Sequence, residues 1–259
     1  LQKAEEWAKK LLDLNPDSSR EYFLSGLIQW KLGYWKDGIG QLRKSLTVDP
    51  SNPRSLEFLV YLYAIAGKGS VSRALLPKLL ESDPLTPLFQ GFPGWIEYME
   101  GHFEAALVSI RKMYQMESEN PFYSLVYANF LTRIQSLEEA FSVIDSLAEK
   151  APQTSFEWLG LFRKVALQGR REKALELVKP EFTNIGKWDE QMSWEIAASF
   201  ALIEENDKAL NWLTNAIDGG FINYPFLNET DPFLENIRGE PRFKKLMERV
   251  KHEWENFEV

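Results

Sequence analysis

The sequence predicts an all-α solenoid of antiparallel helix pairs closed by a capping helix at its C-terminal end. Three observations predict it: small residues recur every 34 positions, prolines and glycines recur in the same register, and the apolar spacing between them is helical. The small residues are Ala4, Gly38, Ser72, Ala106, Ala140 and Ala174. Pro16, Pro50, Pro84 and Pro152 form a second ladder with Ser118 in the gap, and Gly33, Gly67, Gly101 and Gly169 a third that lapses at Gln135. Leu42, Leu76, Ile110, Ile144 and Val178 form an apolar fourth. Four ladders in one register require a repeated structural unit.

Each unit reads as two helices of about 14 residues joined by a short turn. The first ends near the glycine ladder, where a left-handed backbone suits Gly, and the second ends at the proline, which cannot continue a helix. Within "EEAFSVIDSLAEKAP", Ala140, Val143, Ile144, Leu147 and Ala148 line one helical face. A small residue at Gly38, Ala106 and Ala140 lets two helix backbones approach closely. Pro77, Pro93 and Pro180 fall inside predicted helices, at about 3 kcal/mol each, so kinked, shortened or re-registered helices are expected there. The last unit is displaced by one residue, to Ala209, and "EFTNIGKWDE" before it reads as a local break. The period stops after Gly220. Residues 1–220 are therefore the predicted solenoid, about six and a half units of which the first is only a second helix, and 221–259 a capping segment. In that segment, a helix from Pro241 to about Trp254 presents Phe243, Leu246, Met247, Val250 and Trp254 inward, covering the apolar end that a solenoid leaves bare. The chain opens at Leu1 inside a predicted helix, which reads as a piece of a longer polypeptide.

Composition narrows the function. Across 259 residues, 44% are hydrophobic and 14% aromatic, enough for a substantial core. The longest apolar runs, such as "FLVYLYAIA", are far short of the roughly 20 residues of a membrane helix. The formal charge of −8 works against phosphate-backbone binding, so no nucleic-acid partner is expected. With no cysteine, thiolate chemistry and disulfides are excluded, and cytoplasm and periplasm both fit. The two histidines, His102 and His252, read as exposed, with no nucleophile or ligand at helical spacing. Glu138–Glu139 and Glu204–Glu205 begin second helices, where negative charge complements the helix dipole. No catalytic residue, metal ligand or cofactor is predicted. Asn228–Thr230 matches a glycosylation acceptor, which means little without a secretory signal.

The chain resembles tetratricopeptide repeat (TPR) proteins in its 34-residue period, in the small residue within the first helix (Gly26, Gly94, Ala128, Ala197), in the Ala early in the second, and in the closing Pro. The resemblance implies a right-handed TPR superhelix whose first helices line a concave groove. It places Phe23, Leu27, Trp30, Glu57, Tyr61, Trp95, Tyr98, Asn129, Arg133 and Arg163 in that groove. The remaining aromatics, among them Trp7, Tyr34, Trp35, Phe103, Phe130 and Phe141, are expected to hold helix pairs together. The family's carboxylate-clamping variant uses Lys and Asn where Phe23, Leu27, Glu57 and Tyr61 stand here, so binding of that type is not expected. The tail phrase with Asp231, Pro232, Leu234, Arg238, Pro241, Phe243 and Leu246 is similar to the close of TPR regions in multidomain bacterial regulatory proteins, which implies an upstream output domain.

The expected function is non-catalytic protein–protein interaction. Apolar side chains of a partner segment would be buried against Trp30, Tyr61, Trp95 and Tyr98, with Arg133 and Arg163 pairing to acidic groups. Otherwise the molecule's own tail or an upstream domain fills the groove. A small-molecule-sensing domain controlling a fused output domain is the alternative, and a deep, closed aromatic pocket would favour it.

Overall fold

The computed structural model describes residues 17–258 of the protein. The expected opening half-unit, with Ala4, Trp7 and Pro16, lies outside the described residues. Among those described there is no strand. Helices α1 (Ser19–Lys31) and α2 (Trp35–Val48) form the first pair, α3 (Pro53–Ile65) and α4 (Gly69–Ser82) the second, α5 (Pro87–Met99) and α6 (Phe103–Met116) the third. The fourth pair is α7 (Pro121–Arg133) and α8 (Leu137–Lys150), and the fifth α9 (Ser155–Leu167) and α10 (Arg171–Glu176). A short α11 (Pro180–Gly186) precedes the sixth, α12 (Glu190–Leu202) and α13 (Asn206–Asp218). A π turn at Phe226–Thr230, a 3-10 turn at Pro232–Leu234, α14 (Glu235–Arg238) and α15 (Pro241–Glu255) complete the chain.

Local chemistry sets these boundaries. Ser18, Asn52, Asn120, Thr154 and Asp189 cap five of the first helices by accepting a backbone N–H in the first turn. Pro53, Pro87 and Pro121 occupy the N-terminal turn, where a missing N–H costs nothing. First helices end in a left-handed residue at Gly33, Gly67, Gly101 and Gly169. The next N–H reaches back to the last turn: Tyr34 to Gln29 O at 2.9 Å, Lys68 to Tyr63 O at 2.8 Å, His102 to Glu97 O at 2.9 Å. Where the glycine ladder lapses, Gln135 adopts φ 61° and makes the same turn, with Ser136 N donating to Leu131 O. Glu204, at φ 60°, serves the sixth pair.

The small-residue ladder lies at the contact within each pair. Ser72, Ala106, Ala140, Ala174 and Ala209 are fully buried. A Cβ on Gly94 would come within 2.3 Å of Ala106 O, and one on Gly38 within 2.8 Å of Gly26 O, so the helices touch backbone to backbone. Pro77 and Pro93 remain inside α4 and α5, which keep 14 and 13 residues, so neither proline shortens its helix. Pro180 does break the pattern: α10 stops after six residues and the proline begins α11. Among the aromatics expected in the core, Tyr34 is exposed while Trp35 and Phe130 are buried.

The C-terminal end turns back over the first three pairs. Arg242 pairs with Asp207 and Arg249 with Asp218, laying α15 along α13. Phe243, Met247 and Val250 are its buried face. Beyond it, Lys68 Nζ donates to Trp254 O at 2.9 Å and Phe257 packs edge-on against Trp35 at 5.0 Å. Asn223 pins the segment before α15 by donating its backbone N–H to Ile65 O (3.0 Å) and its amide to Met99 O (2.7 Å). The start of α12 also meets α1 and α3, where Lys31 Nζ stands 3.6 Å from Glu190 and Tyr61 OH donates to Glu190 at 2.6 Å. The six pairs thus curl until the sixth touches the first two, and the first helices line the inner side.

Candidate functional site

Two environments occupy that inner side. Toward the C-terminal half, Arg133 at the end of α7 and Arg163 in α9 converge on Glu195 of α12. Arg133 Nη1 and Arg163 Nη2 reach Glu195 Oε2 at 3.0 and 2.5 Å, and Arg163 also donates to Glu195 O and Ser199 Oγ. Asp231, from the C-terminal segment, completes the charge balance 3.7 Å from Arg133 Nη2 and accepts a 2.8 Å hydrogen bond from Trp194 Nε1. Phe233 packs against both guanidinium groups, 4.5 Å from Arg133 and 4.8 Å from Arg163. All four charged side chains are buried. Burial and the neighbouring Arg133 lower the Arg163 pKa to about 10. For Arg133 burial acts in the same direction, but Glu195, Tyr98 and Asp231 outweigh it and the net shift is upward. A buried cluster of this kind fixes geometry more than it adds stability, because its attraction is spent against desolvation.

Toward the N-terminal half the side chains leave a cavity of about 180 Å³. Six of its fourteen lining residues are aromatic: Trp30 from α1, Phe58 and Tyr61 from α3, Phe92 and Trp95 from α5, and Phe122 from α7. Tyr61 and Trp95 stack at 6.0 Å with 20° between their planes. Glu57 and Asp189 are the charged lining residues, and Glu190 stands behind Tyr61. Burial raises the Glu57 pKa against the opposing pull of Arg54, which pairs with it at 2.7 Å. Burial, with Asp189 adding to it, raises Glu190 to about 7 even though Lys31 and Tyr61 oppose the shift.

The structure divides the ten residues that the TPR resemblance assigned to the groove. Trp30, Glu57, Tyr61 and Trp95 line the cavity. Phe23 and Leu27 lie half-buried to one side, with Phe23 6.0 Å from Phe58. Tyr98 and Asn129 are buried, Tyr98 beneath Phe226 of the returning segment at 5.6 Å. Arg133 and Arg163 are not presented to a partner: Glu195, Asp231 and Phe233 enclose them, and each guanidinium is fully buried. The chain's own tail fills that half of the groove. Sequence reading also missed Phe58, Leu88, Phe92, Phe122 and Val126. Leu88, Phe92 and Trp95 follow one stripe of α5, and Phe122, Val126 and Asn129 one stripe of α7, so extending each stripe toward the helix start finds them. Asp189, Glu190, Glu195 and Asp231 carried no periodic signal.

His102 is exposed, as expected, but its Nδ1 lies 2.8 Å from Glu97, and Glu97, Glu100 and His102 bring ligand atoms within 4.8 Å of one another. Arg73 already occupies this cluster, with Nη2 2.8 Å from Glu97 and 2.5 Å from Glu100. It is a surface ion cluster.

No protein-family model and no curated protein matches the chain. Solved structures do. The chain is similar to one in the crystal structure of the APC/C hetero-tetramer Cut9-Hcn1, with a TM-score of 0.63 and 14% identity over 96% of this chain. It spans 46% of that chain, less than half its length. A tetratricopeptide repeat protein from Parabacteroides merdae matches with a TM-score of 0.56 and 15% identity over 90% of both chains. Pseudomonas aeruginosa pilF matches with a TM-score of 0.51 and 14% identity, over 89% of this chain and 97% of that one. At such identities the likeness shows the fold, an all-α TPR solenoid.

Proposed function

We propose that the protein is a non-catalytic interaction module that takes a segment of a partner protein into the aromatic cavity between α1, α3, α5 and α7. One observation carries the reading: the returning tail fills one half of the inner side, and the other half keeps a cavity that no described residue fills, walled by Phe58, Tyr61 and the buried rings of Trp30, Phe92 and Trp95. Aromatic walls of this kind are the usual anchors of peptide recognition on solenoid surfaces. The ionisable groups of the inner side support a non-catalytic role, since Glu195 is held by two arginines and Glu190 by Tyr61 and Lys31. The resemblance of the tail phrase to the close of TPR regions in bacterial regulatory proteins supports a place within a larger regulatory polypeptide, in which an upstream domain gives the output. A second reading, a small-molecule sensor, is favoured by α12 reaching across to Tyr61 and narrowing the cavity to 180 Å³, room for one ring-sized group.

The test is a filled cavity. Leu88→Trp places an indole where a partner side chain would enter. Peptides selected from a random library on the wild-type protein are expected to lose at least tenfold in affinity to this variant, with its melting temperature unchanged. Equal binding to both proteins would overturn the reading, whereas a metabolite that raises the wild-type melting temperature where no peptide binds would favour the sensor.

A further inference from the structure

The cavity's own chemistry narrows its occupant. Among the described residues no Lys, Arg or His lines it, whereas Glu57 and Asp189 do. Glu57 is paired with Arg54, while Asp189 shares Lys31 with Glu190, which is only part-ionised near pH 7, so among the described residues two cations serve this corner's three carboxylates. Both use the same arrangement. Lys31 Nζ lies 3.7 Å over the Trp30 ring while facing Glu190 at 3.6 Å and Asp189 at 4.0 Å. Arg54 lies 5.8 Å over the Phe58 ring while bonded to Glu57. The rim therefore already holds two cations, each between an aromatic face and a carboxylate. Of the other lining rings, Tyr61, Phe92 and Trp95 have no cation against them among the described residues. An aromatic surface next to unbalanced negative charge attracts a cation, more strongly where water is excluded.

Resting on the interaction reading above, we infer that the partner segment enters this cavity with a lysine or arginine side chain, its methylene stem against Tyr61, Phe92 and Trp95 and its charge toward Glu57 and Asp189. The stem supplies apolar area and the head supplies charge, which suits a cavity lined by both rings and carboxylates. The molecule's formal charge of −8 draws such a segment in.

The experiment is a positional-scanning library of fluorescein-labelled hexapeptides measured by polarisation against the full chain and three variants. Asp189→Asn keeps the cap of α12, because Asn caps as well as Asp, Glu57→Gln keeps the side-chain shape, and Leu88→Trp fills the cavity. The expected result is enrichment of Lys or Arg at one position, with affinity lowered about tenfold by Asp189→Asn, further by adding Glu57→Gln, and reduced by raised salt. Should Glu57→Gln fail to fold, Asp189→Asn alone decides the matter, since its side chain is partly exposed. Neutral or acidic peptides that Leu88→Trp blocks but the carboxylate variants do not would overturn the basic side chain and leave the interaction reading standing. Peptides indifferent to all three variants would overturn both.

Discussion

Single residues decide what the inner side can hold. Glu190 is the clearest case, because burial places its pKa near 7 in the folded chain against an ordinary 4.5. The folded protein then binds more protons than the unfolded one between those values, so stability falls as pH rises through the window. The contribution is complete below about 4.5 and lost above about 7, and a shift of that size corresponds to roughly 3 kcal/mol. Urea denaturation at pH 5 and pH 8 is expected to show this decline in the wild type and a much flatter response in Glu190→Gln, with the variant the more stable at pH 8. Parallel pH responses would show that Lys31 and Tyr61 hold the carboxylate charged. None of this was legible in the sequence, where Glu190 stands in the aperiodic "KWDEQ". Arg133 and Arg163 were legible as inward-facing, because their helical register is regular, but their partner Asp231 lies in a tail whose path no repeat period encodes.

At the scale of elements, the 34-residue ladder is a contact list. Gly94 marks the point where α5 presses on α6, with Ala106 O 2.3 Å and Ile110 Cγ1 3.0 Å from where a Cβ would stand. Gly94→Ala is expected to destabilise the fold by about 2 kcal/mol, since the helix pair must move apart. Gly40, on the exposed face of α2 with nothing within 4 Å of its would-be Cβ, serves as the control. Gly40→Ala is expected to stabilise by about 0.5 to 1 kcal/mol through helix propensity alone, and thermal denaturation of the two variants checks the opposite signs. The pairs themselves were readable because spacing and packing repeat together. The shortened α10 and the inserted α11 were readable only as a break at Pro180. What the break achieves, bringing α12 across to Tyr61 and Lys31, depends on contacts 129 and more residues apart in the chain.

The whole molecule is a curl whose end returns to its beginning. Gly220 lies against Trp35, Asn223 bonds to Ile65 and Met99, and Trp254 and Phe257 rest on Gly67, Trp35 and Tyr63. These contacts join the sixth pair and the tail to the first three pairs, so the C-terminal segment is at once the cap of α13 and the filling of half the inner side. On the function proposed above, the other half is the part left to a partner. Hydrogen exchange of the full chain, with and without the tightest-binding basic hexapeptide, reads this division directly. Slower exchange centred on the α3 and α5 stretches, residues 53–65 and 87–99, with residues 221–234 unchanged, is the predicted result. Faster exchange across 221–234, meaning that the peptide displaces the tail, or protection elsewhere with α3 and α5 unaffected, would contradict the account.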